Sequence, residues 1–180
     1  GSGSLTLGGT SDYTGATYVN GQAVVAFDDP ARFGGTSAFH LNGGTLEYNA
    51  VATTAPVITQ SVILGGASGV IRVLDADSRL IFRGDATNQF TGEANPLSSI
   101  TSGNPFSGGL TIVGEGTVQF GRRSLDGTAE TATASNVTDV IGVNNNYTGL
   151  TIIGDGVNAV RVDIQGQAND NGQYTPFGTT

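Results

Sequence analysis

At 180 residues the chain is long enough for one domain with a sizeable core. Hydrophobic residues make up 37% and charged residues only 12%, so Ser, Thr, Asn, Gln and Gly must cover most of the surface. A net charge of -8, with no Lys and only Arg122-Arg123 as a basic pair, argues against nucleic-acid binding, and the absence of Cys rules out a disulfide framework or thiol chemistry.

The chain opens Gly1-Ser2-Gly3 without Met, which reads as a piece cut from a longer protein. Over residues 5–49, short bursts alternate apolar and polar side chains: Leu5 and Leu7, Thr17 and Val19, Ala23, Val25 and Phe27, Phe39 and Leu41, Leu46 and Tyr48. Period-two alternation predicts half-buried strands, and each burst stops at Gly, Asn, Asp or Pro. Strands this short, with turns this frequent, suit a chain that coils around one core. Residues 50–56 form a polar, Thr-rich break. Strand character resumes at 62–64, 70–73 and 80–82, with Ile71, Val73, Leu80 and Phe82 predicted inside and Arg72, Arg79 and Arg83 outside. Residues 85–105 are rich in Asn, Ser, Gly, Thr and Pro with little alternation, and predict a protrusion. Residues 122–146, which contain TAETATAS, predict a second, as a loop or a short helical turn. The turn-rich stretch 165–180 carries Tyr174, Pro176 and Phe177 where another coil would begin. No apolar run approaches the roughly 18 residues of a spanning helix, so no membrane insertion is expected of this piece.

The chain also repeats itself. Tyr13-Thr14-Gly15-Ala16-Thr17-Tyr18-Val19 is matched by Phe106-Ser107-Gly108-Gly109-Leu110-Thr111-Ile112 and by Tyr147-Thr148-Gly149-Leu150-Thr151-Ile152-Ile153. A Gly turn and a second apolar burst follow each copy. The second and third copies begin 41 residues apart and the first and second 93, close to two such periods. Self-similarity on this scale marks a stacked repeat. Within the motif, the aromatic residue supplies an apolar plug at a corner, the Gly permits a conformation a side chain would block, and the β-branched residues suit a pleated strand. Stacking aligns like residues in ladders about 4.8 Å apart.

LTLGGTSDYTGATYVNGQAVVAF, with FHLNGGTLEYN after it, resembles the autotransporter-associated β-strand repeat, also called the passenger-associated transport repeat. FSGGLTIVGEGTVQFG and NNNYTGLTIIGDG resemble further copies. The resemblance implies an all-β, right-handed parallel β-helix (a β-solenoid) with irregular loop protrusions at 85–105 and 122–146. Residues 1–180 would form one solenoid fragment of a long bacterial passenger, secreted or held at the cell surface. No catalytic, cofactor-binding or metal-binding residue belongs to the repeat, so none is carried over.

Three acidic or Asx clusters, Asp28-Asp29, Asp75-Ala76-Asp77 and Asn169-Asp170-Asn171-Gly172, offer the oxygen ligands of a Ca²⁺ site. The same residues close turns through their own backbones, which is the commoner use, and none has EF-hand or Gly-Gly-x-Gly-x-Asp spacing. His40, the sole His, is the one candidate base for a Ser-His-Asp triad, yet it alternates with Phe39 and Leu41 and is expected to face outward. Gly65-Gly66-Ala67-Ser68-Gly69 lacks the Gly-Lys-Ser/Thr of a phosphate loop and reads as a corner. Tyr13, Phe106 and Tyr147 suit corner packing better than a sugar-stacking row. The outward strand positions are mostly Thr, Asn, Gln, Ser and Arg, without the facing carboxylates of a glycan-cleaving site. The expected role is therefore a non-catalytic structural stalk with no cofactor. The alternatives are an adhesin that contacts a host or matrix glycan or protein through the two protrusions, and a polysaccharide-cleaving β-helix. Open strand edges predict end-to-end self-association.

Overall fold

The computed structural model describes residues 1–51, 55–82, 100–102, 108–120, 147 and 149–164. Fourteen short strands lie within them: β1 (Ser4–Leu7), β2 (Thr17–Asn20), β3 (Val24–Phe27), β4 (Ala38–Asn42), β5 (Thr45–Tyr48), β6 (Val57–Ile58), β7 (Ser61–Leu64), β8 (Gly69–Val73), β9 (Arg79–Phe82), β10 (Ile100–Ser102), β11 (Leu110–Gly114), β12 (Thr117–Phe120), β13 (Thr151–Ile153) and β14 (Arg161–Ile164). The one helical element among the described residues is a 3₁₀ turn at Pro30–Phe33. Among the described residues no helix is long and apolar enough to cross a membrane, a statement that does not bear on β-barrels.

The strands form three sheets. The first has six strands in the order β1-β3-β5-β8-β11-β13, the second β2-β4-β7-β10, and the third β6-β9-β12-β14. Every strand pairing in them is parallel. Sequence neighbours never pair within a sheet. Instead the chain passes from the second sheet to the first to the third and begins again, as in β4-β5-β6, β7-β8-β9 and β10-β11-β12. The described residues are thus all-β and parallel, with almost no helix.

The register turns the predicted alternation into columns. In the first sheet Leu5, Val25, Leu46, Ile71, Ile112 and Ile153 stand in line, as do Leu7, Phe27, Tyr48 and Val73. The second sheet contributes Val19-Leu41-Leu64 and the third Ile58-Phe82-Phe120 and Leu80-Val118. Residues from all three sheets belong to one buried cluster. Ile71, Val73, Leu80 and Phe82 are buried as the alternation predicts. Arg72 and Arg79 lie between buried residues and are partly exposed, while Arg83 falls outside the described residues. Leu5 departs from expectation at 56% exposure, because its neighbour Val25 covers only one edge of β1.

Where the first coil has no third-sheet strand, the 3₁₀ turn replaces it. Asp29 caps that turn, its carboxylate accepting from the Ala31 N–H at 2.9 Å, and Pro30 supplies the preset φ of its first position. The turn delivers Phe33, fully buried, edge-on to Phe27 of the first sheet (5.0 Å) and Phe39 of the second (4.7 Å).

The tight corner after β4 requires glycine. Gly43 has a φ of 83° and its N–H donates to the Ser68 carbonyl, while a Cβ on Gly44 would collide with the Val19 carbonyl of the coil before. Gly65-Gly66-Ala67-Ser68-Gly69 is likewise a corner, between β7 and β8, held by the Asn42 carboxamide oxygen, which accepts from the Ala67 N–H at 2.9 Å.

One expectation about the repeat is corrected. The second and third copies stack as aligned, with Leu110 opposite Thr151, Thr111 opposite Ile152 and Ile112 opposite Ile153. The strand of the first copy, β2, lies in the second sheet instead. Of the protrusions expected at 85–105 and 122–146, residues 100–102 form β10 and pair with β7. The remainder of both stretches, and 165–180, lie outside the described residues.

Candidate functional site

Asp28, Asp29, Asp75 and Asp155 fold back on their own turns. Asp28 takes a two-point ion pair from Arg32 (2.8 and 3.3 Å), and that hydrogen bonding holds its carboxyl below the usual carboxylate range. Asp29 caps the 3₁₀ turn. Asp75 accepts from the N–H of Asp77 at 3.0 Å. Asp155, in the Gly-Asp-Gly turn after β13, accepts from the N–H groups of Asn158 (2.8 Å) and Val157 (2.9 Å), and these two bonds depress its pKa. Such Asx turns use the lone pairs a cation would need. Among the described residues no three His, Asp or Glu side chains gather closely enough to hold a metal ion. Asn169-Asp170-Asn171-Gly172 and Arg122-Arg123 lie outside them.

The outer faces carry ladders of a different kind. On the first sheet Arg72 donates to Glu47 at 3.0 Å across two coils. On the third, Arg79 donates to the Gln119 carboxamide at 3.0 Å and pairs with Asp163 at 3.4 Å, which Arg161 also meets at 2.8 Å. Each ion pair of this sort contributes roughly 0–1 kcal/mol, so these are stitches between strands and not a charged pocket. On the second sheet His40 faces outward between buried Phe39 and Leu41, as expected. Its ring stacks on Tyr18 of the preceding coil, with centroids 4.4 Å apart and planes 15° off parallel. Tyr18 is 64% exposed, and Asn20 and Asn42 stand in register beside the stack.

The repeat motif itself holds a feature that the alternation of residues does not reveal. Tyr13 hydrogen-bonds through its hydroxyl to the hydroxyl of Thr17 (3.0 Å), and Tyr147 does the same with Thr151 (2.6 Å). Two copies in different sheets therefore share one local link between residues four apart. At the first copy the link continues. Thr36 donates to the Gly15 carbonyl at 2.8 Å, so the Thr17 hydroxyl donates to Thr36 (2.8 Å) and the Tyr13 hydroxyl to Thr17. The backbone reinforces the seam, with the Gly35 N–H donating to the Tyr13 carbonyl at 2.9 Å. Gly34, at φ 55°, lies so close that a Cβ there would sit 2.6 Å from the Ser11 carbonyl. Tyr147 is fully buried, and that burial pushes its hydroxyl pKa up. Tyr13 remains 38% exposed, unlike Tyr147, and Phe106 is outside the described residues. The sequence does carry a sign of the link: both Tyr copies have Thr four residues on, whereas the copy that begins with Phe106 has Leu110 there.

Compared with known proteins, the chain matches no family model, no curated protein and no solved structure.

Proposed function

We propose that this chain is a segment of a right-handed parallel β-helix that serves as a non-catalytic stalk in a bacterial passenger of the autotransporter-associated repeat type, secreted or held at the cell surface. The rotation of the chain through three parallel sheets that contribute to one buried cluster is the observation that carries the reading. A right-handed coil follows from the strong general preference of parallel crossovers for that hand. The use of Asp28, Asp29, Asp75 and Asp155 in turns and ion pairs also favours a scaffold, since their oxygens are already engaged. A stalk needs only a stack whose coils each bury an apolar face on the next.

Fusing the chain between an epitope tag and an outer-membrane β-barrel translocator tests this role. Antibody should reach the tag on intact cells, and display should fall when Ile71→Asp breaks the central column. A tag kept inside the cell while the chain folds normally would overturn the stalk. So would release of reducing ends or unsaturated sugars from polysaccharides by the purified chain, abolished by mutating one acidic pair.

A further inference from the structure

Three Asn-Gly steps occur in the chain: Asn20-Gly21, Asn42-Gly43 and Asn171-Gly172, the last outside the described residues. The first two close β2 and β4, stand in register on the second sheet, and have exposed Asn residues. Asn before Gly is open to internal cyclisation, because glycine has no side chain to shield its nitrogen from the carboxamide before it. In both corners that nitrogen is engaged. The Gly21 N–H donates to the Asn42 carbonyl at 2.8 Å, and the Gly43 N–H to the Ser68 carbonyl at 2.6 Å. The two carboxamides are not alike. That of Asn42 reaches the next corner, where its oxygen accepts from the Ala67 N–H at 2.9 Å and lies over Gly65, so close that a Cβ there would sit 2.5 Å away. That of Asn20 makes no hydrogen bond among the described residues. The reason is the length of the corner each one faces. The corner after β7 spans residues 65–68 and presents the Ala67 N–H, whereas the corner after β4 spans only 43–44 and has no counterpart of Ala67.

We propose that Asn20 is a site of spontaneous deamidation in the folded chain, and that Asn42, in the same sequence setting, is protected by its bond to Ala67. The Gly21 nitrogen attacks the carboxamide carbon of Asn20 and a C–N bond forms. The amide nitrogen takes up the Gly21 proton through water and leaves as ammonia, which closes a succinimide. Water then opens that ring at one of its two carbonyls, giving aspartate or isoaspartate at position 20. No oxidant, metal or second protein enters the reaction. The free carboxamide of Asn20 swings toward Gly21 once the single bond from Gly21 to Asn42 opens. At Asn42 the same approach has to break the bond to Ala67 as well as that from Gly43 to Ser68. Either product places a negative charge beside Asn42. Isoaspartate also adds a backbone atom where β2 enters its corner, which shifts Asn20 out of register with Asn42. The contrast is set by the coil that follows each Asn, and it holds whether or not the chain serves as a stalk.

Incubating the intact chain at mildly alkaline pH, with peptide mass mapping and isoaspartate-specific methylation as readouts, tests this. In the folded chain Asn20 is expected to convert about fivefold faster than Asn42, the factor that one side-chain hydrogen bond supplies. In concentrated urea, where neither corner persists, the two should convert at equal rates, since each precedes a glycine. Ala67→Pro removes the N–H that holds Asn42, and should raise its conversion toward that of Asn20 while leaving Asn20 unchanged. Circular dichroism checks that this variant folds, and the comparison of folded chain with urea decides the matter if it does not. Asn20→Gln should abolish the early product, because the longer side chain has to close a larger ring. Equal conversion of the two Asn in the folded chain, a folded chain in which neither converts, or a preference for Asn20 that survives in urea would each overturn the proposal.

Discussion

Tyr48 stands in the core column between Phe27 and Val73, almost fully buried, and its hydroxyl has no hydrogen-bond partner among the described residues. An unmet buried hydroxyl costs about 1–3 kcal/mol, so Tyr48→Phe should leave stability unchanged or raise it by about 1 kcal/mol, read as a higher urea midpoint. The hydroxyl of Thr36 is the opposite case. It links Gly15 to Thr17, and Thr36→Val should cost about 0.5–1.5 kcal/mol because both of those hydrogen bonds are lost, leaving the exposed Gly15 carbonyl with the Ser37 N–H at 3.4 Å. Tyr13→Phe, at the exposed end of the same chain of bonds, should cost less, since water can replace it. Protonation follows from the same burial. Burial, with the charges of Asp29 and Asp28 adding to it, raises the Tyr48 pKa, and burial raises that of Tyr147. The unfolded chain therefore gives up these protons first. Their contribution to stability is complete below about pH 10 and fades as pH rises through the raised values. Tyr48→Phe should flatten the alkaline limb of a stability–pH curve, and an unchanged limb would mean that Tyr48 ionises as freely in the folded chain. Asp28 and Asp155, with lowered pKa values, act at the other limb: what they add is present above about pH 4 and is lost as pH falls further.

At the scale of elements, the 3₁₀ turn packs the first and second sheets together where later stretches of the chain place a third-sheet strand. Phe33 fills the position that a third-sheet strand takes in later coils, and it meets aromatic rings from both other sheets. Phe33→Ala should cost about 3–5 kcal/mol as a buried cavity forms, whereas Phe33→Leu should cost visibly less, both by denaturant unfolding. A small loss in Phe33→Ala would show that the first and second sheets hold together without that ring. Asp-Pro-x-x-Phe is legible in the sequence as a turn, but its task is not, because that depends on the absence of a strand elsewhere in the coil. The same limit explains the displaced first repeat. The alternation of Phe39 with Leu41 and of Ile71 with Val73 reports the inner face directly, since it depends only on the pleat. The offset between the second and third motifs likewise reports their register. What Tyr13-Thr14-Gly15-Ala16-Thr17 encodes is a corner with its Tyr–Thr bond, and a corner carries no mark of the sheet it leads into. For the same reason the Tyr18–His40 stack, which needs two coils in register, could not be read from either residue alone.

For the whole molecule, contacts run from each coil to the next, so stability should be graded along the stack and not uniform. The Leu5–Ile153 column provides the comparison. Ile71 is fully buried at its centre, flanked by Leu46 and Ile112, and Ile71→Ala should cost about 2–5 kcal/mol. Leu5 already meets water over half its surface and has one strand beside it, so Leu5→Ala should cost about 1 kcal/mol or less. Amide exchange should follow the same profile. Protection should peak at β5, β8 and the face of β11 that pairs with β8, and fall toward β1 and β13, the first and last strands in the order of this sheet. Flat protection across all six strands would mean that the stack opens only as a single unit, which nearest-neighbour coupling of weak terminal coils does not give.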